Sequence, residues 1–201
     1  MVNKKERYLG QFDIWHEFKG SKWEGLADFF SKFKNIYNYE FVWLPDDDLF
    51  VNGETLNNFF SVVKKFNFTI SQPALTTYSY FTWAITLQNS QYIARNTNFI
   101  EIMAPCFQVS QLPFFVKTFG ENSSGFGYEY IWGLIAAKKK MLNFGIVDAT
   151  PVYHTRPVGS LGHGGAKSNP HQEEKLILEK YSARRYKPRV IKNHPLTSLR
   201  F

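Results

Sequence analysis

The sequence predicts a layered α/β domain in which helices and strands alternate along the chain. Apolar residues recur at helical spacing in residues 25–37 and 54–66, and residues 128–140, which follow Gly125 and Gly127 and end in basic residues, are predicted to form a third helix. Short apolar runs bounded by Pro, Gly or Asp lie between these helices, as expected for buried strands. The chain has 201 residues and is 44% apolar, which suits one domain with a sizeable core.

The predicted elements follow one another without an internal repeat. In order they are a helix at 25–37, a strand ending at the acids of 46–48, a helix at 54–66, a strand at 68–70 that stops at 71–73, an irregular excursion at 76–96, a strand at 99–107, helices at 110–119 and 128–140, strands at 144–147 and 151–154, and a helix at 173–186. Asn52-Gly53 marks the turn before the second helix. Residues 187–201 are predicted to be irregular.

The positive charge is concentrated at the C-terminal end. Residues 166–201 carry nine Lys or Arg and three Glu, so they supply +6 of the net charge of +7. A glycine-rich stretch, 159–170, precedes them and is predicted to be a linker. We therefore predict a domain at 1–165 and a basic tail at 166–201 that is dispensable for the fold. Such a tail can attract an anionic membrane surface or another polyanion.

The chain shows no apolar stretch long enough to span a membrane and no signal peptide, which predicts a cytoplasmic protein, peripheral to a membrane if the tail binds lipid. Nucleic acid is not an expected partner, because the charge is local and no recognised nucleic-acid motif is present. The sequence contains one cysteine, so no intramolecular disulfide can form.

Three consecutive acids, Asp46, Asp47 and Asp48, directly follow the first predicted strand. Adjacent like charges are unfavourable unless something neutralises them, and Mg²⁺ or Mn²⁺ prefers oxygen ligands. Ligands of open α/β sheets bind outside the carboxyl ends of the strands, where these acids would lie. The alternative is a solvated turn, since Asp favours turns for its own reasons.

Other side chains could serve the same site. Glu129 follows two glycines at a helix start and could act as a general base, or it could only stabilise the helix dipole. His154, at a strand end, could bind a metal or be structural, and His163 competes with it. Asp148 could orient His154, bind an acceptor or cap a turn. Trp83 is the aromatic residue favoured for stacking on a sugar, although most aromatic side chains in this chain are expected to be core.

Several of these segments together resemble an uncharacterised glycosyltransferase-like family, known in plants and bacteria as domain of unknown function 707. The segments are 39–48, 70–75, 99–105, 125–129, and 145–148 with His154. The resemblance covers residues 12–162. It implies a GT-A-like mixed sheet flanked by helices, with a shortened N-terminal nucleotide-binding unit for which residues 8–15 could supply a reduced strand.

The resemblance also implies an activity. Asp46 and Asp48 match the two acids of the Asp-X-Asp metal site, Asp47 lies between them, and His154 matches the histidine that completes it. Glu129 stands where the family pattern has Asp. The implied function is metal-dependent transfer of a sugar from a nucleotide-sugar donor to a glycan or lipid-linked acceptor, with Mn²⁺ or Mg²⁺ as cofactor. The alternative is a catalytically silent sugar- or nucleotide-binding protein of the same fold.

Overall fold

The computed structural model describes residues 10–157 and 169–198, which form a mixed α/β fold with helices on both faces of an open sheet. The helices are α1 (Lys22–Lys32), α2 (Gly53–Phe66), α3 (Leu112–Phe115), α4 (Tyr128–Lys138) and α5 (Pro170–Tyr181). The strands are β1 (Phe41–Trp43), β2 (Leu49–Phe50), β3 (Ile70–Leu75), β4 (Tyr92–Thr97), β5 (Cys106–Gln108), β6 (Phe144–His154) and β7 (Val190–Pro195).

The described strands form one sheet of seven, in the order β1-β5-β3-β6-β4-β7, with β2 paired to the end of β6. Only β3 and β6 pair in parallel; the other described pairs are antiparallel. All six residues of β3 are buried, because this strand lies in the middle of the sheet between helical layers.

Side chains alternate between two apolar layers along the strands. On β6, Phe144 and Ile146 belong to the cluster that packs against α1 and α4, whereas Val147 belongs to the cluster around Phe59 of α2. This alternation follows from the two-residue period of a strand. It places α1 and α4 on one face of the sheet and α2 on the other.

Several predicted element bounds are wrong. Residues 71–73 do not end a strand but lie inside β3, where Pro73 is tolerated although it has no N–H. The strand predicted at 99–107 is largely irregular and only 106–108 pair. The two strands predicted at 144–147 and 151–154 are one continuous strand, β6. The excursion predicted at 76–96 ends in β4, which was missed because its polar residues hide the period.

The C-terminal segment contributes helix α5 and strand β7 to the fold, whereas the sequence predicts a dispensable tail; truncation of the chain tests that prediction. Strand β7 pairs with β4 over five registered positions, and Ile177 of α5 is 4% exposed within the larger apolar cluster. Residues 187–201 are predicted to be irregular, but Val190–Pro195 form strand β7. The domain boundary at 165–166 and most of the linker predicted at 159–170 lie outside the described residues.

The region before β1 contains no strand in residues 10–40, so the reduced strand suggested for residues 8–15 is not seen in its described part. Helix α1 begins at Lys22, and its N-cap residue Ser21 forms a capping box with Glu24. No helix in the described ranges is long and apolar enough to cross a bilayer.

Candidate functional site

A cavity of about 740 Å³ lies at the end of the sheet where β1 and β6 finish. Residues from widely separated parts of the chain line it, and they include Lys22, Asp46, Asp47, Asp48, Trp83, Glu101, Phe126, Glu129, Tyr130, His154, His171, Glu174 and Arg185. The volume is that of a typical small-ligand site. The wall combines aromatic rings with several carboxyl groups.

Asp48 and His154 meet because β2 pairs with the end of β6. Leu49 is registered against His154, so Asp48 lies beside the imidazole. The Asp48 carbonyl oxygen accepts hydrogen bonds from the Thr155 N–H and hydroxyl at 3.0 and 2.9 Å. Asp48 Oδ2 then lies 3.3 Å from His154 Nε2. Backbone pairing therefore sets this contact.

The His154 ring is oriented by the Tyr80 carbonyl, which lies 2.7 Å from Nδ1. A carbonyl only accepts, so Nδ1 carries a proton and Nε2 faces Asp48. In the neutral ring Nε2 holds a lone pair, which is unfavourable beside a carboxylate unless a proton or a cation lies between them. Asp48 Oδ1 is buried and has no hydrogen-bond partner among the described residues.

Asp46 forms an ion pair with Lys22 that sequence analysis did not anticipate. Lys22 Nζ lies 2.7 Å from Asp46 Oδ1 and donates to the carbonyls of Ile102 and Met103 at 3.1 Å. Burial lowers the pKa of the Lys22 ammonium, which the Asp46 carboxylate opposes. Burial likewise raises the pKa of Asp46, which Lys22 opposes. The Lys22 ammonium group has three N–H donors, and each of them has an acceptor: the Asp46 carboxylate and the two carbonyl groups.

Glu129 lies in the first turn of α4 and lines the cavity. Its Oε2 accepts a hydrogen bond from Gly127 N–H at 3.2 Å, so it also caps its own helix. Burial raises the pKa of Glu129 to about 7, and the neighbouring charge of Glu174 adds to this rise. The carboxyl group therefore changes its charge near neutral pH.

The glycines before Glu129 serve packing rather than ligand approach. Both have positive φ, +79° at Gly125 and +94° at Gly127. A Cβ on Gly125 would collide with the Trp23 indole, and one on Gly127 would lie 2.9 Å from Ile177. The two glycines therefore allow helices α1 and α5 to approach this turn closely.

Glu101 also lines the cavity and is 7% exposed. Its backbone N–H donates to Gln72 Oε1 at 2.7 Å, which holds this irregular segment against β3. Burial raises the pKa of Glu101 to about 8, and the charges of Glu129 and Asp46 add to the rise. Glu101 falls within residues 99–105, one of the segments that carry the family resemblance.

Asp148 does not line this cavity, and its predicted catalytic role stays a prediction. It is fully buried and forms a two-pronged ion pair with Arg95, at 2.8 Å from both Nε and Nη2. Asn89 N–H donates to the same carboxylate. Arg95 further donates to the carbonyls of Ile85 and Leu87. This cluster anchors to the sheet the segment that follows Trp83.

The remaining predicted residues differ in position. Trp83 is half-buried at the cavity wall, and its ring centroid lies 5.0 Å from that of Phe99. Asp47 lies at the cavity rim with its side chain 89% exposed, 3.7 Å from Arg156. Trp132 is fully buried and belongs to the core. His163 lies outside the described residues.

Sequence analysis missed Lys22, Glu174 and Arg185. Lys22 follows a helix cap, and no local pattern connects it with Asp46. Glu174 and Arg185 form an ion pair at the cavity wall, but they fall in the segment predicted to be a tail. Only the general observation that an acid is rarely buried alone could have drawn attention to Glu174.

Across residues 10–157 and 169–198, no three His, Cys, Asp or Glu side chains are grouped closely enough to hold a metal ion by themselves. The model of a family described as a protein of unknown function (DUF707) matches residues 17–192. The match extends well into the C-terminal segment and covers most of the chain. No curated protein matches it.

Proposed function

We propose that this chain, which belongs to the DUF707 family of proteins of unknown function, is a metal-dependent glycosyltransferase of the GT-A type. One observation carries the proposal. Asp46, Asp48, Trp83, Glu129 and His154, which were selected from the sequence for this chemistry, all line one cavity. The donor would be a nucleotide sugar, and the acceptor a hydroxyl group of a glycan or a lipid-linked glycan.

The residues around Asp48 fit a divalent ion such as Mn²⁺ or Mg²⁺. Two ligands about 2.1 Å from one ion lie about 3.0–3.4 Å apart, and Asp48 Oδ2 and His154 Nε2 are separated by 3.3 Å. Asp48 Oδ2 and the Nε2 lone pair are the expected donor atoms, and Asp48 Oδ1 has no other hydrogen-bond partner among the described residues. Mg²⁺ commonly keeps several waters and takes substrate phosphates as further ligands, so two protein ligands suffice. The bound ion would neutralise the departing diphosphate.

The protein's own residues would do the rest. Lys22 holds the Asp46 carboxylate in place, and Asp46 can accept hydrogen bonds from donor hydroxyls with its other oxygen. Glu129, with a pKa of about 7, is suited to take the proton from the acceptor hydroxyl.

A catalytically silent binding protein is the second candidate. The Lys22 ammonium already lies against Asp46, where the resemblance implies a metal, and no strand precedes β1 in residues 10–40. Such a protein would bind nucleotide sugars without turning them over. The assay that separates the two candidates is Mn²⁺-dependent hydrolysis and transfer with a panel of nucleotide sugars.

Asp48→Ala is expected to weaken Mn²⁺ binding by at least about tenfold, or about 1.4 kcal/mol. The substitution removes one of the two proposed protein ligands and leaves His154 alone. Titration calorimetry with MnCl₂ measures the effect. Glu54→Ala, which removes an exposed acid at the start of α2, is the matched control and should bind as wild type does. Unchanged binding by Asp48→Ala would reject this metal site.

Glu129→Gln is expected to lower the transfer rate by about 10²–10⁴-fold, which is the usual contribution of a general base. The substitution keeps the shape of the side chain and removes the charge. In the wild type kcat/KM should rise with pH and level off above about 7, because only the ionised carboxylate accepts a proton. A variant with wild-type turnover and an unchanged pH profile would exclude Glu129 as the base.

A further inference from the structure

We propose that Glu101 and Trp83 form a subsite for a neutral sugar, in which the Glu101 carboxyl group donates a hydrogen bond to a sugar hydroxyl. The subsite would lie beside Glu129 in the same cavity. It deepens the proposed function by naming the substrate group that this wall of the cavity recognises. It is tested by direct binding, without donor nucleotide or metal.

The first step is that the Glu101 carboxyl group has one oxygen atom without a hydrogen-bond partner among the described residues. Glu101 is 7% exposed, and its Oε2 is buried without a hydrogen-bond partner in the part of the chain that the structure describes. The Thr82 side chain hydrogen-bonds to the carboxyl group. Leaving a buried oxygen without a hydrogen-bond partner is unfavourable. A polar ligand bound in the cavity would supply the missing hydrogen-bond partner.

The second step is that no cation of the described residues pairs with Glu101. Lys22 is the nearest positive charge, but its protons go to Asp46 and to the carbonyls of Ile102 and Met103. The other facing groups, Glu129 and Asp46, are acids. A buried carboxyl group without a cation favours its neutral form.

The third step follows from the neutral form. A protonated carboxyl group has one O–H donor, and a donor requires an acceptor oxygen. At neutral pH Glu101 is mostly protonated, since its pKa is raised to about 8, while Glu129 is near half ionised. The pair therefore offers one donor and one acceptor, which matches two neighbouring hydroxyl groups of a sugar.

The fourth step concerns Trp83. Thr82, which bonds Glu101, directly precedes Trp83, whose ring packs at the cavity wall against Phe99. An aromatic face beside a hydrogen-bonding carboxyl group suits a sugar, because a sugar ring has an apolar C–H face and polar edges. The Arg95–Asp148 ion pair holds the segment after Trp83, so this wall is supported by the sheet.

The experiment follows intrinsic tryptophan fluorescence of the full chain, without metal, during titration with free glucose, galactose, mannose, xylose and N-acetylglucosamine, and with cationic glucosamine. Wild type should bind at least one neutral sugar at pH 6 and lose about tenfold in affinity per pH unit above about 8. Glu101→Gln keeps an N–H donor and should bind within about twofold of wild type at pH 6, without that loss at high pH.

Glu101→Leu removes the donor and should bind about tenfold more weakly at pH 6. Glu54→Gln, on the exposed start of α2, is the control for a lost charge and should match wild type both at pH 6 and above pH 8. Melting curves confirm that each variant is folded. The charged groups that face Glu101 and Glu129 are shared by all variants, so the comparison isolates Glu101. They are Lys22, Asp46, Glu174 and Arg185.

Three results would overturn the subsite: wild-type affinity in folded Glu101→Leu, the full pH dependence in Glu101→Gln, or tighter binding of glucosamine than of any neutral sugar at pH 6, where its amine is protonated. The absence of binding by every sugar to wild type at pH 6 would overturn it as well. Sugar binding without Mn²⁺-dependent turnover rejects the proposed function and keeps the subsite. Turnover without sugar binding rejects only the subsite.

Discussion

A chain that ends at residue 165 is expected to lose its cooperative unfolding transition. The truncation removes α5 and β7, so strand β4 loses the neighbour that it pairs with over five registered positions. It also removes Ile177 from the larger apolar cluster. Burial of one such side chain contributes about 1.5–3 kcal/mol, against a total stability of about 5–15 kcal/mol for a domain.

The truncation would also open the wall of the cavity. The Tyr186 hydroxyl lies 2.9 Å from the carbonyl of Asn98 and 3.1 Å from that of Glu129. Arg185 pairs with Glu174, which lies 5% exposed on α5. These contacts connect the C-terminal segment to the two stretches that carry Glu101 and Glu129. We therefore expect any folded remainder to lose sugar binding.

Circular dichroism during heating measures the result, and a pair of neighbouring substitutions supplies the control. Ile177→Ala should cost about 2–5 kcal/mol, as large-to-small core substitutions do. Leu176→Ala, on the exposed side of the same helix at 59% exposure, should change stability by less than about 0.5 kcal/mol. A truncated chain with the wild-type melting temperature would place the C-terminal segment outside the core.

Asp148→Ala is expected to destabilise the protein by about 3–5 kcal/mol. Arg95 is 6% exposed, and without its partner the guanidinium becomes a buried charge that is paired only with carbonyl dipoles. The Asn89 N–H loses its acceptor at the same time. Urea unfolding followed by circular dichroism measures the change in the free energy of unfolding.

The matched control is an ion pair on the surface. Glu40 lies 2.9 Å from Lys64, and both side chains are at least 60% exposed. Glu40→Ala should therefore cost no more than about 1 kcal/mol. Because Asp148 and Arg95 anchor residues 85–89, we also expect the Trp83 fluorescence of folded Asp148→Asn to respond less to sugar. If Asp148→Ala lost no more stability than Glu40→Ala does, the buried Asp148–Arg95 pair would contribute no more to stability than a surface ion pair.

Local patterns in the sequence predicted those helices and strands whose buried face is set by the spacing of apolar residues within the element itself. The amphipathic spacing of residues 54–66 predicted α2, which begins at Gly53 after an Asn52 cap. The helix at 128–140 was predicted from its apolar run and is seen as α4, from Tyr128 to Lys138. The overall α/β class follows from such segments, because their periods differ between helix and strand.

Strand pairing could not be predicted in the same way. Strand β4 contains Arg95 and Asn96, and β7 contains Lys192 and Asn193, so neither shows a clean apolar alternation. The pairing of β4 with β6 on one side and with β7 on the other depends on partners far along the chain. The polar residues are tolerated because Arg95 is satisfied by Asp148 and because β7 lies at the exposed edge of the sheet.

The sequence by itself determined the α/β class, the family to which the chain belongs, and the acids Asp46, Asp48 and Glu129 together with His154 as residues that line the cavity. Only the tertiary structure decided that Lys22 pairs with Asp46, that Asp148 pairs with Arg95 instead of lining the cavity, and that Glu101 retains an unpartnered oxygen. The physical reason is that residue types and short spacings show which chemistry a segment can support. The partner of a buried charge, in contrast, is set by packing between segments that are distant in the sequence.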